Sequence, residues 1–330
     1  MVRLFPSVTT SILLGGCLLA AQSPQAADVL KAARAALGGE AKLAAVKTVS
    51  ATGRTRMTAP NGQVEEMEFA LSMELPDKFM KREVLMAMGP TSVYRHSGFN
   101  GDALINEIDA PPSLSSGGGP GGGMWVRQIE VGPDGGPSAA PSPEEAAANR
   151  RRLLTEARRS FARLTLGMFA SSFSGYPLTF VHAGQAESPD GKADVLEVSD
   201  GADFKARLFI DTATHMPLML IWMDREPLRV DVEDTGSGER MRIVRRGAGP
   251  GGPPPVEADG AAMAERLREA EASRRVVEFR AYYSDYTAVD GVKLPMRIAR
   301  SIDGRPSDEI VFDRIRLNSR IDPKTFTPSK

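Results

Sequence analysis

Glu66-Met67-Glu68-Phe69-Ala70-Leu71-Ser72-Met73-Glu74-Leu75 puts Met67, Phe69, Leu71, Met73 and Leu75 at alternate positions and acidic or small residues between them. Successive side chains of an extended chain point to opposite faces, so this stretch predicts a strand with one apolar and one wet side. The flanking sequence extends the pattern. Residues 48–57 and 63–75 enclose Pro60-Asn61-Gly62, a tight hairpin turn, and Pro76-Asp77 leads into a third strand over 79–88. Phe99-Asn100-Gly101-Asp102 supplies a further turn before 103–108, and together these segments predict an antiparallel meander.

Two helices interrupt the strands. Asp28 is positioned to cap a short helix through Leu30, Ala33 and Leu37 that stops at Gly38-Gly39. Ser142-Pro143-Glu144-Glu145 combines a Ser N-cap, Pro in the first turn and Glu at N3, the signature of a capping box. The helix it starts continues through Leu153, Ala157, Phe161, Leu164 and Met168 and ends before Ser174-Gly175-Tyr176-Pro177. Its arginines, Arg150, Arg151, Arg152, Arg158, Arg159 and Arg163, fall mostly on the other faces and read as a solvated surface.

Strands resume beyond Leu178. Ala206, Leu208 and Ile210 alternate with charged or polar neighbours, as do Leu228, Val230 and Val232, while 216–223 is almost wholly apolar, as for a strand covered on both faces. The last strands centre on Val277 to Tyr283, on Val292 to Ile298 after the Asp290-Gly291 turn, and on 310–317 after Asp303-Gly304. An alanine-rich helix is expected over 259–272. No βαβ rhythm appears, so the expected fold class is α+β: one strongly curved antiparallel sheet with helices packed on its concave face.

Of the 330 residues, 41 are basic and 42 acidic, with no basic stripe, which argues against a nucleic-acid partner. Arg3 followed by an apolar stretch from Ser11 to Ala21 reads as a signal peptide, too short to span a bilayer. Two processing routes stand open. Gln25-Ala26-Ala27 offers small residues for ordinary cleavage, giving a leader of residues 1–26, whereas Leu14-Gly15-Gly16-Cys17 matches a lipobox ending before Cys17, which makes that cysteine the lipidation candidate. Cys17 is the only cysteine, so no disulfide is expected. Residues 27–330 read as a single domain with Gly/Pro-rich insertions at about 111–141 and 247–258; the first holds an apolar island, Met124-Trp125-Val126.

The residues offer no catalytic motif. His96, His182 and His215 are far apart in sequence and lack metal-ligand spacing, so neither a metal nor a cofactor is expected. Ser171-Ser172-Phe173-Ser174-Gly175 lacks the leading glycine of a nucleophile elbow, and the glycine-rich tract lacks the Lys-Ser/Thr of a phosphate loop.

Phe99-Asn100-Gly101-Asp102, Tyr176-Pro177-Leu178, Thr214-His215-Met216-Pro217-Leu218, and Tyr283-Ser284-Asp285-Tyr286 with Val289-Asp290-Gly291-Val292-Lys293-Leu294-Pro295 carry a resemblance to the outer-membrane lipoprotein-carrier (LolA/LolB-like) superfamily, in particular its divergent members of unassigned role. The resemblance implies an incomplete β-barrel closed by helices around an apolar cavity that accepts acyl chains. Met67, Phe69, Leu71, Met73, Met80, Val84 and Met86 on apolar strand faces, with Leu218, Leu220 and Trp222 in the apolar strand, are the cavity candidates. Arg82, on the same side of its strand as Met80, Val84 and Met86, would meet a lipid carbonyl or headgroup there. The expectation is a periplasmic or lipid-anchored binding protein, not an enzyme, whose partner is a lipid or a lipoprotein acyl chain. The alternatives are a periplasmic sensor module that binds an envelope protein, and, less in keeping with the motifs, an unrecognised hydrolase.

Overall fold

The meander predicted from the 66–75 alternation is present in the computed structural model, which describes residues 23–58, 63–88, 91–109, 142–189, 191–234, 239–245, 256–257, 269–270 and 272–327. Residues 1–22 with Cys17, the turn at 60–62, the insertion at 111–141 and most of 247–272 lie outside the described residues, as do the side chains of Met86 and Met88; the last four residues of the expected leader, 23–26, form the cap and first turn of a helix.

Helices α1 (Pro24–Leu37) and α2 (Glu40–Ala45) precede β1 (Thr48–Thr58), β2 (Val64–Glu74), β3 (Lys78–Met88), β4 (Thr91–Asn100) and β5 (Ala103–Asp109). The long helix α3 (Pro143–Phe169) is followed by β6 (Thr179–Ser188), β7 (Gly191–Ser199), β8 (Lys205–Asp211) and β9 (Pro217–Arg225). Then come β10 (Leu228–Asp234), β11 (Glu239–Arg245), β12 (Val256–Glu257), β13 (Val276–Val289), β14 (Val292–Ile302), β15 (Arg305–Leu317) and a 3-10 turn at Pro323–Phe326. Twelve strands form one antiparallel, curved and open sheet in the order β5-β4-β3-β2-β1-β15-β14-β13-β9-β8-β7-β6. The large curved antiparallel sheet is as expected; the alternation in 228–233 leads instead into a separate three-stranded sheet, β10-β11-β12.

The two halves of the chain meet at β1 and β15, where Ala51 pairs with Ile315 and Gly53 with Phe312. Gly53 is required by close approach. A Cβ there would lie 2.2 Å from the Val311 carbonyl oxygen and 2.8 Å from the Phe69 ring, which packs edge-on against Phe312 at 5.6 Å. The hairpins at Asp290-Gly291 and Asp303-Gly304 have both turn residues at positive φ, near 50° and 75–78°, the geometry that matches strand twist and favours Asp-Gly.

Helix α1 begins earlier than the Asp28 reading. Ser23 is the N-cap: its Oγ accepts from the Ala26 amide at 3.3 Å with Pro24 in the first turn, and it accepts a second hydrogen bond from the His182 amide at 3.2 Å. Ala26, Leu30, Ala33 and Leu37 form the buried face, and the helix stops at Gly38, as its glycine pair predicts. The capping box of α3 is formed in both directions, Glu145 amide to Ser142 Oγ at 3.2 Å and Ser142 amide to Glu145 Oε2 at 2.9 Å. These bonds hold the Glu145 carboxyl below its usual range. The first turns, through Arg152, are exposed; packing starts at Leu153 and is tightest around Phe161, Leu166, Met168 and Phe169.

Candidate functional site

Where α3 crosses the sheet, its Leu153, Ala157 and Leu164 do not close completely onto the strands, and a cleft of ≈ 320 Å³ remains between them. That lies at the lower end of the size range of ligand pockets. The register of β1, β2 and β3 decides which side chains face it. Val49 pairs with Met73, Ala51 with Leu71 and Gly53 with Phe69; Met73 then pairs with Phe79, Leu71 with Lys81 and Phe69 with Glu83. Directly paired residues share a face, so Phe79, Lys81 and Glu83 point the same way as Phe69 and Leu71.

Among the sequence candidates, Phe69, Leu71 and Trp222 line the cleft. Met73 and Leu220 are fully buried in the main core, and Met67 lies toward the end of the same face, opposite Thr55. Met80, Arg82 and Val84 take the other side of the sheet. Met80 packs there with Ile105 and Phe326, and the Arg82 guanidinium sits 3.8 Å from the centre of the Tyr94 ring. Leu218 is 39% exposed. In sequence, Phe79 and Met80 are equally apolar neighbours, and a one-residue choice between them reverses every side chain of β3.

Residues that the sequence reading passed over complete the lining. Apolar surface comes from Ile298, Ile310 and Phe312, and the polar groups are Lys81, Glu83, Arg95, Ser97, Asn106, Glu156, Ser160, Arg163 and Arg300. Charged residues on strands read as outward, and only their cross-strand pairing reveals them as inward.

The charges are arranged in pairs. Lys81 donates to Glu83 and lies 5.3 Å from the centre of the Phe69 ring. Arg300 donates to Asp308, whose side chain is only 3% exposed. Arg163, 15% exposed, donates to Glu156 at 2.8 Å and Asp224 at 3.1 Å and stacks 4.7 Å over Trp222, while its Nε has no acceptor among the described residues. Arg95 is exposed and has no ion-pair or hydrogen-bond partner among the described residues.

The helix that roofs the cleft is fixed from below by two tyrosines. Tyr283 Oη donates to the Arg163 carbonyl at 2.8 Å, and Tyr286 Oη lies 3.3 Å from the Gly167 carbonyl of the helix and 2.8 Å from the Pro217 carbonyl of β9. Burial pushes both phenols well above the ordinary tyrosine range. At the lower end of α3, Tyr176 Oη donates to Asp200 Oδ2 at 2.6 Å, and burial pushes its pKa up to about 12. Among the described residues no group of three or more His, Cys, Asp or Glu is placed to hold a metal, and no helix is long and apolar enough to cross a membrane.

No family profile and no curated protein matches the chain. Solved structures do. A domain named for outer membrane lipoprotein sorting, from Vibrio parahaemolyticus, is 14% identical with a TM-score of 0.40, covering 92% of this chain and 94% of that one. A LolA superfamily protein from Nitrosomonas europaea is 10% identical with a TM-score of 0.40 over 92% and 97%. A DUF1329 family protein from Desulfovibrio piger is 9% identical with a TM-score of 0.43 over 92% and 97%. The chain is similar to these LolA-superfamily and DUF1329 structures, and at these values no residue or role of theirs is carried across.

Proposed function

We infer that the chain is an exported binding protein that holds a lipid, a lipoprotein acyl chain or another apolar molecule between α3 and the sheet, and performs no covalent chemistry. The observation that carries this reading is the cleft itself, floored by Phe69, Phe312, Ile310 and Ile298 and roofed by Leu153, Ala157 and Leu164. Each methylene moved from water into such a site contributes about 0.8 kcal/mol, so a shaped apolar cleft under a helix is sufficient for a carrier. The signal-like leader supports a periplasmic location, as a soluble protein or, through Cys17, as one anchored to the outer membrane. Residues 27–330 act as one domain in this reading, with the two Gly/Pro-rich stretches as insertions.

A second reading, a sensor module that binds an envelope protein, is favoured by the exposed first turns of α3, where Arg150, Arg151 and Arg152 stand clear of the sheet. Native mass spectrometry of protein purified without detergent from the exported fraction separates the two. A stoichiometric lipid adduct supports the carrier. A clean apo mass with no uptake of added lipid overturns it in favour of the sensor.

A further inference from the structure

The cleft carries both apolar and polar surface, with a cluster of polar groups at one corner. On β2, β14 and β15 it presents Phe69, Ile298, Ile310 and Phe312 beside the paired Arg300, and Phe79 and Leu104 add apolar surface on β3 and β5. On β3, β4 and β5 it presents Lys81, Ser97 and Asn106 in one row across the strands, and Glu83 beside Arg95 in the next. A wholly apolar ligand covering that polar corner would strip water from it and return nothing, a cost of about 1–3 kcal/mol for each group left unpaired.

The corner also carries an uncompensated charge. Lys81 engages Glu83, Arg163 engages Glu156 and Asp224, and Arg300 engages Asp308. Arg95 is the cation of the lining without a carboxylate among the described residues, and the side chains of Ser97 and Asn106 make no hydrogen bond among them. Glu83 is directly opposite Arg95, but Lys81 already takes its charge. A planar guanidinium flanked by a hydroxyl and a carboxamide presents a fork of donors suited to a carboxylate or a phosphate.

We propose that the ligand is an anionic amphiphile. Arg95 receives its head, with Ser97 and Asn106 alongside, and its acyl chain lies over Phe69, Ile310 and Phe312. This proposal rests on the binding role above and specifies the ligand class for that same cleft.

The test uses the full exported chain with cis-parinaric acid and its methyl ester, read by the fluorescence gain on binding. The acid is expected to bind about tenfold or more tighter than the ester, as a charge-assisted contact at a partly exposed site requires. Arg95→Met removes that preference, Arg95→Lys retains part of it, and Arg207→Met, an exposed cation outside the cleft, leaves it intact. Displacement of the bound acid by palmitate identifies a carboxylate head, and displacement by lysophosphatidylglycerol a phosphate; either supports the proposal. Equal binding of acid and ester by the unaltered chain, or an undiminished preference in Arg95→Met of native circular dichroism, overturns it. If neither probe binds, the binding role itself fails.

Discussion

The Tyr283 ring lies so close to Gly167 that a Cβ at position 167 would come within 2.2 Å of Tyr283 Cε1. The same tyrosine donates its hydroxyl to the Arg163 carbonyl one helical turn earlier. Glycine inside a helix costs about 1 kcal/mol relative to alanine, so its presence in the last turn of α3 reflects this approach to β13. At this point the helix backbone lies directly on the Tyr283 ring.

Gly167→Ala is therefore expected to destabilise the protein despite alanine's better helix propensity. Overpacking costs about 1–3 kcal/mol, and Tyr283 is too deeply buried to swing aside. Urea unfolding measures the change; a variant more stable than the parent would show that the ring yields.

Stability should fall steeply in alkali. Tyr283 and Tyr286 have folded pKa values raised by burial above the unfolded value near 10, and Tyr176 is raised to about 12. The unfolded chain then releases protons that the folded chain keeps. The contribution is fully present below pH 10 and is lost as pH climbs through the folded values. For Tyr283 the slope approaches about 1.4 kcal/mol per pH unit once the unfolded phenol is ionised. Tyr283→Phe should flatten the decline between pH 10 and 12 and lower stability at pH 8 by about 1 kcal/mol for the lost hydrogen bond. Urea midpoints measured at pH 8, 10 and 11 test both signs.

Ser23 ties the first turn of α1 to β6, since it caps Ala26 and accepts from the His182 amide. Ser23→Ala should cost about 1 kcal/mol or somewhat more, and a chain beginning at Asp28, which also lacks the buried Ala26, should lose more. Thermal unfolding of the three proteins side by side gives the order; equal midpoints would mean that the first turn contributes nothing.

Filling the cleft should abolish uptake without unfolding the protein. Ala157 lines the cleft from α3 and is only partly buried, so Ala157→Trp projects an indole into space that is already open. The expected result is loss of bound lipid in native mass spectrometry with unchanged circular dichroism. Undiminished uptake would place the ligand elsewhere.

Much of this architecture is legible before any folding is considered. The 66–75 alternation, the Asp-Gly pairs at 290–291 and 303–304, and Ser142 with Glu145 are local signals, and each produced the element it predicts. The α1 start was displaced because Asp28 and Ser23 are both plausible caps, and Pro24 together with the His182 contact favours the earlier one. In the sequence Tyr283 and Tyr286 belong to a hairpin signature, and nothing near Tyr283 announces that its hydroxyl target lies on α3, 120 residues away.

The candidate site was less legible for the same physical reason. Phe69, Leu71 and Trp222 could be found because apolar residues on an alternating strand must face a core. Lys81, Glu83 and Arg95 could not, because a charge on a strand reads as solvent-facing unless its cross-strand partner is known.

The sequence by itself determined the strands, the turns that join them and the caps of the long helix, because those depend on side chains a few residues apart. Tertiary structure alone decided that β1 pairs with β15 to make one open sheet, that β3 turns Phe79 inward and Met80 outward, and that Gly167 seats α3 on Tyr283. Those outcomes depend on register and packing between segments far apart in the chain, and no local pattern encodes them.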